Sequence, residues 1–278
     1  MTAEQMLSVA GQTIGFHSLS GAGPLVVAVH GAEGSWREWE PLVERLGDRY
    51  RFVALDLPWR AGNDYGWGSG GSAGDWLHRA MARFDEPVFA MLGHSLGANA
   101  LLEYLCMPDR VDLAATMLLA PFYRPREDRV DDALRQEFST SFRYAVADGI
   151  RTAMGARYAR LDRSLFESIV DTALGRIGES GIATLFQQFV KTGTLPLSGV
   201  LPPSRVLSGE PDPALNERRG GLLGRAMPAA TVTRHAEYRH CFHLTHADEL
   251  AADVQAFLAQ AARGPGDSTD LPWRHAHA

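Results

Sequence analysis

Lysine is almost absent from this chain of 278 residues. Lys191 is the only one among 27 basic residues, and the rest are arginines. The formal net charge is −6, and no dense Lys/Arg run or basic stripe occurs. That argues against a nucleic-acid partner. Cysteine is as scarce, and the two present, Cys106 and Cys241, cannot build a disulfide framework. No Cys/His spacing resembles a zinc site, so neither metal nor cofactor is expected. The longest apolar runs, such as 114–122, fall far short of the ~20 residues that span a bilayer. The start, MTAEQMLSVAGQTIGF, lacks the basic residues and long apolar stretch of a secretory signal. No internal repeat is visible. These absences leave a cytoplasmic protein acting on a small molecule as the plain expectation.

What is present is an ordinary globular composition, 45% hydrophobic and 22% charged. The length suits one domain of roughly 200–250 residues with an insertion, or two smaller domains. Short apolar runs at 25–30 (LVVAVH), 51–56 (RFVALD), 87–92 (PVFAML), 114–120, 204–208 and 229–234 lack period-two alternation. Such runs fit strands buried on both faces of a parallel sheet. Helical patterns at 37–46, 75–83, 96–106 and 247–262 separate them, which predicts an α/β layered sheet. From about 122 to 200 only helical patterns occur. At 181–191, for example, Ile182, Leu185, Phe186, Phe189 and Val190 share one face. This interval is either a lid over a site at the strand ends or an extension of the core. The Gly/Pro-rich tail 264–278 reads as flexible.

The segment Gly93-His94-Ser95-Leu96-Gly97 is a G-x-S-x-G motif between a predicted strand and a predicted helix. That context makes Ser95 a candidate nucleophile on a sharp strand-to-helix turn. A serine there, rather than a carboxylate, points to acyl transfer. Such chemistry needs two N–H donors for the developing oxyanion. The candidates are Leu96, which follows the nucleophile, and Ala32, in the loop after the first strand. In the same loop Glu33 reads more readily as a solvated charge than as a substrate contact, and His30 as a residue that orders the loop. Trp36, Trp59 and Trp67 are candidate walls of an apolar substrate pocket, with the core as an equal alternative.

Serine needs a base, and the base needs a carboxylate to fix its tautomer. The chain order Ser, then Asp or Glu, then His selects Asp212 in the turn after SRVLSG, with Glu210 second. Four histidines follow, at positions 235, 240, 243 and 246. His240 is the favoured base because it falls in the loop between a strand and the last helix, and His243 is its rival.

The series HGAEGSWREW, DLPWRAG, GHSLGAN, SGEPDP and HCFHLTHADELAADVQAFL resembles the α/β-hydrolase superfamily over about 9–262. The resemblance implies an α/β-hydrolase fold with a core at 1–121 and 201–263 and a helical cap at 122–200. It also implies a serine hydrolase of an ester, thioester or lactone, and puts the base on His240. C–C bond hydrolysis, cofactor-free lyase or perhydrolase chemistry, and a non-catalytic ligand-binding role are the alternatives. Three departures stand out. The turn after the D-x-P element reads Trp59-Arg60-Ala61-Gly62-Asn63, the loop 62–74 is unusually rich in glycine, and Arg239 replaces the usual glycine before the histidine. The early motif of type II thioesterases is missing.

Overall fold

The computed structural model describes residues 4–263; the tail expected to be flexible, 264–278, lies outside them. The elements follow in the order β1 (Glu4–Val9), β2 (Gln12–Ser18), β3 (Leu25–Val29), α1 (Glu40–Leu46), β4 (Arg51–Asp56), α2 (Ala73–Met81) and β5 (Ala90–His94). Next come α3 (Leu96–Tyr104), β6 (Ala115–Leu119), α4 (Asp132–Met154), α5 (Arg163–Thr192) and β7 (Ser204–Gly209). The chain closes with α6 (Glu217–Ala226), β8 (Ala230–His235), α7 (Phe242–Thr245) and α8 (Ala247–Arg263).

The eight strands form one sheet in the order β1-β2-β4-β3-β5-β6-β7-β8. Strands β3 to β8 pair in parallel, while β1–β2 and β2–β4 are antiparallel. The apolar runs lack alternation because both faces are covered. Val27, Val29, Val53, Leu55 and Leu118 pack on the side of α2 and α3, and Val26, Ala28, Phe52, Ala54 and Leu119 on the side of α1 and α8. All ten side chains are fully buried. Burial at about 25 cal/mol per Å2 of apolar surface makes these two layers the main stabilising element.

The first hairpin was not expected from the sequence. Its β1 edge exposes Gln5, Met6 and Ser8, so its apolar content is low. Ala10 and Gly11 make the turn with φ of 48° and 76°, the paired positive values of a two-residue hairpin. The strand expected at 87–92 begins later, at Ala90, after Pro87, which lacks the N–H a ladder needs.

Between β6 and β7 the described chain contains helices and no strand. Helix α5 is broken at Gly178, where φ is 68°. Its C-terminal part is tied to the layer of α2 and α3. Gln188 Oε1 accepts the Ala73 N–H at 2.9 Å, and the Lys191 ammonium pairs with Glu103 on α3. Glu103 also accepts the Gly74 N–H at 3.1 Å, so the single lysine serves an internal link. Among the described residues no helix is long and apolar enough to cross a membrane.

Candidate active site

Ser95 sits between β5 and α3 with φ 52° and ψ −117°, a region that side-chain-bearing residues rarely occupy and that costs about 1–3 kcal/mol. The surroundings over-determine it. Its N–H donates to Leu119 O at 2.8 Å, and its carbonyl accepts the Asn99 N–H at 3.0 Å. Helix α3 approaches β3 so closely that a Cβ on Gly97 would lie 2.3 Å from Val29 O and 2.5 Å from His30 O. Only glycine fits there.

His240 lies in the segment between β8 and α7 and is buried. Its Nε2 is 2.9 Å from Ser95 Oγ, and its Nδ1 is 2.8 Å from Asp212 Oδ2. Asp212 is fully buried just after β7, and its Oδ1 accepts the Ala214 N–H at 3.0 Å. An acceptor at Nδ1 requires the proton there, which leaves Nε2 a lone pair facing the serine hydroxyl. Burial alone would push the His240 imidazole down, but the charge of Asp212 and its hydrogen bond, with Asp148 and Glu38, hold it above its ordinary value. Glu210, the alternative acid, is exposed.

His243, the alternative base, packs elsewhere. Its ring lies against that of His94 with centroids 3.9 Å apart, and its Nε2 is 3.8 Å from Glu38 Oε1. Burial among other imidazoles drives it well below its ordinary value. His94 supports His240 from behind, with Nε2 3.1 Å from His240 O and Nδ1 3.2 Å from Glu38 Oε1. Glu38 in turn accepts the Gly31 N–H at 3.1 Å. Among the described residues Glu38, His94 and His243 form the group whose possible metal-ligating atoms lie within 4.8 Å of one another. The bonds to Gly31 and His240 give two of them a framing role, and no metal is assigned.

Ala32 and Leu96 line the same cavity as Ser95. Neither backbone N–H takes part in a hydrogen bond among the described residues, so both are free for a ligand oxygen. His30 orders the loop of Ala32: Nε2 accepts the Leu57 N–H at 2.9 Å and Nδ1 donates to Gly31 O at 2.7 Å. The cavity is narrow, with a volume of about 20 Å3, little more than one water needs. Phe138 and Phe142 of α4, with Leu185 and Phe189 of α5, supply an apolar wall opposite Ser95.

The structure corrects the expected substrate contacts. Trp59 is fully buried: its indole N–H donates to His30 O at 3.0 Å and its ring packs 5.5 Å from that of Trp67. Trp36 stacks on His17 at 4.6 Å and does not line the cavity. The backbone partner of its N–H lets Trp59 sit wholly in the core. Glu33 is not a solvated charge. It is half-buried with φ 56° and accepts bonds from Tyr65 OH (2.8 Å), Asn63 Nδ2 (2.7 Å) and the Gly62 N–H (3.2 Å). It thus ties the glycine-rich loop to the loop of Ala32, and neither it nor the tryptophans reach the cavity.

Asn99 has a role that motif reading missed. Its side chain donates to Phe122 O and accepts the Phe122 N–H, both at 2.9 Å. The Phe122 ring meets that of His240 edge-on, 5.5 Å between centroids. The signal available was a polar residue one helical turn after Ser95, in the apolar first half of α3.

Residues 26–253 match the model of the Alpha/beta hydrolase family. A pimeloyl-[acyl-carrier protein] methyl ester esterase of Aeromonas hydrophila is 24% identical over 255 residues, covering 86% of this chain and 96% of the relative. One of that name from Stenotrophomonas maltophilia is 27% identical over 273 residues, covering 90% and 97%. Among solved structures, a bromoperoxidase from Bacillus anthracis superposes with TM-score 0.65 at 21% identity, covering 92% and 99%. The thioesterase domain from a curacin biosynthetic pathway gives TM-score 0.62 at 17% identity, covering 91% and 98%. Both share the fold.

Proposed function

The chain belongs to the α/β-hydrolase family, and we propose that it hydrolyses an ester-type bond through an acyl-enzyme on Ser95. His240 takes the Ser95 proton as Oγ attacks the carbonyl carbon, and Asp212 holds the resulting imidazolium. The Ala32 and Leu96 N–H groups stabilise the oxyanion, a contribution worth about 3–4 kcal/mol per donor in comparable sites. His240 then protonates the leaving alcohol or thiol. Water, deprotonated by the same base, releases the acid.

The observation that carries this reading is the unbroken chain from Ser95 Oγ through His240 to Asp212, at 2.9 and 2.8 Å. It starts at a strained serine and opens on an apolar cavity. The segment 122–200 acts as a cap on the core formed by 1–121 and 201–263, because its phenylalanines face the nucleophile across that cavity. A cavity this narrow and apolar favours a slender acyl group. The names of the relatives make methyl esters, free or carried on an acyl-carrier protein, the first substrates to assay.

The test is a panel of acyl methyl esters, p-nitrophenyl esters, thioesters and lactones, with C–C diketones and a perhydrolysis assay for the alternatives. Turnover of an oxygen or thiol ester by the wild type, lost in Ser95→Ala, is expected. Activity confined to diketones or perhydrolysis, or ester turnover that survives Ser95→Ala, contradicts the proposal.

A further inference from the structure

Asp148 lies near the end of α4, 2% exposed. A carboxylate so far from water is sustained only by good partners, and it has three. Its Oδ2 accepts the Cys241 backbone N–H at 2.8 Å, and its Oδ1 accepts Arg239 Nε–H at 3.0 Å and a bond from the Arg151 guanidinium. Two of these donors belong to the residues on either side of His240. The Arg239 guanidinium also lies 5.1 Å over the ring of Tyr144, one turn earlier on α4. One face of α4 therefore grips the chain before and after the base. Arg239, which departs from the glycine expected at that position, gives the grip its side-chain half.

The same helix places Phe138 and Phe142 in the cavity wall. Successive turns of α4 thus line the cavity and hold the segment that carries His240. We propose that Asp148 is a positioning residue that fixes the His240 backbone from α4, coupling the seating of that helix over the cavity to alignment of the base with Ser95. The proposal rests on the reading of His240 as the base.

Electrostatics add a signature that packing alone does not. The groups facing His240 are the carboxylates of Asp212, Asp148 and Glu38, and the rings of His94 and His243; Arg239 and Arg151 lie on Asp148 itself. Burial opposes the imidazolium and the three carboxylates favour it. Neutralising Asp148 removes one of the three and leaves two arginines uncompensated, so the base becomes harder to protonate.

The test compares Asp148→Asn and Arg239→Ala with wild type on whichever ester the panel selects, following kcat, KM, the pH profile and Tm. For Asp148→Asn the expected result is a kcat lower by on the order of tenfold to a hundredfold, with KM little changed. The acidic limb of kcat/KM should also move to lower pH. Arg239→Ala, which leaves Asp148 its bonds to Cys241 and Arg151, should lose less kcat. A folded Asp148→Asn with wild-type kcat and an unmoved limb overturns the proposal. If that variant does not fold, Arg239→Ala decides, and wild-type kcat there overturns it equally. Failure of the underlying reading is distinguishable, because it would appear as a His240→Ala variant that keeps wild-type turnover and whose Ser95 reacts with a fluorophosphonate as fast as in wild type.

Discussion

Asp212→Asn isolates the role of the acid without disturbing its shape. Asp212 Oδ1 is committed to the Ala214 N–H and Oδ2 faces His240 Nδ1 at 2.8 Å. An asparagine must keep its carbonyl oxygen on the Ala214 N–H, since two N–H groups cannot face each other. Its amide NH2 then points at Nδ1, which has to accept, and the ring proton moves to Nε2. That nitrogen lies 2.9 Å from Ser95 Oγ and, once protonated, cannot take the serine proton. A tautomer trap of this kind costs on the order of ten-thousandfold in kcat, or about 5.5 kcal/mol of barrier. Steady-state hydrolysis of a p-nitrophenyl ester, with Tm measured alongside, reads it. Glu210→Gln is the control: Glu210 is exposed, and the change should leave kcat within about twofold. A folded Asp212→Asn retaining more than about a tenth of wild-type kcat would refute the tautomer argument.

Other expectations follow from the same geometry. Because His240 is held above its ordinary pKa and only its neutral form accepts a proton, kcat/KM should fall as pH drops through a value above the ordinary ~6.5; a limb below that would contradict the pairing with Asp212. Gly97→Ala places a methyl 2.3 Å from Val29 O, backbone that cannot swing aside, so urea unfolding should show a loss of about 1–3 kcal/mol or more. Phe138→Ala should cost about 3–5 kcal/mol and shift the kcat/KM optimum toward longer acyl chains, because Phe138 walls the cavity; an unchanged chain-length profile would remove it from the acyl site.

The parallel sheet was legible because strands covered on both faces show as short unbroken apolar runs, as at Leu25–Val29 and Arg51–Asp56. Ser95 was legible because its strain is local, set by the strand before it and the helix after it. The first hairpin was not, since Met6 on its outer strand is 54% exposed and leaves little apolar pattern to find. Residue type alone did not say which way a side chain faces. Glu33 finds its partner in Tyr65, far along the chain, and Trp59 finds His30 O. His240 and His243 stand three positions apart, and neither composition nor periodicity separates them. What separates them is a contact with Ser95, far away in sequence. The link from Asp148 to Arg239 is equally invisible along the chain, because both look like ordinary surface charges.

That Ser95 is the nucleophile is tested most directly by intact-mass and peptide mapping after treatment with a fluorophosphonate. The geometry predicts one stoichiometric adduct on Ser95, absent from Ser95→Ala and formed far more slowly by His240→Ala. An adduct on another serine, or none on wild-type protein under conditions that modify a known esterase, would contradict it.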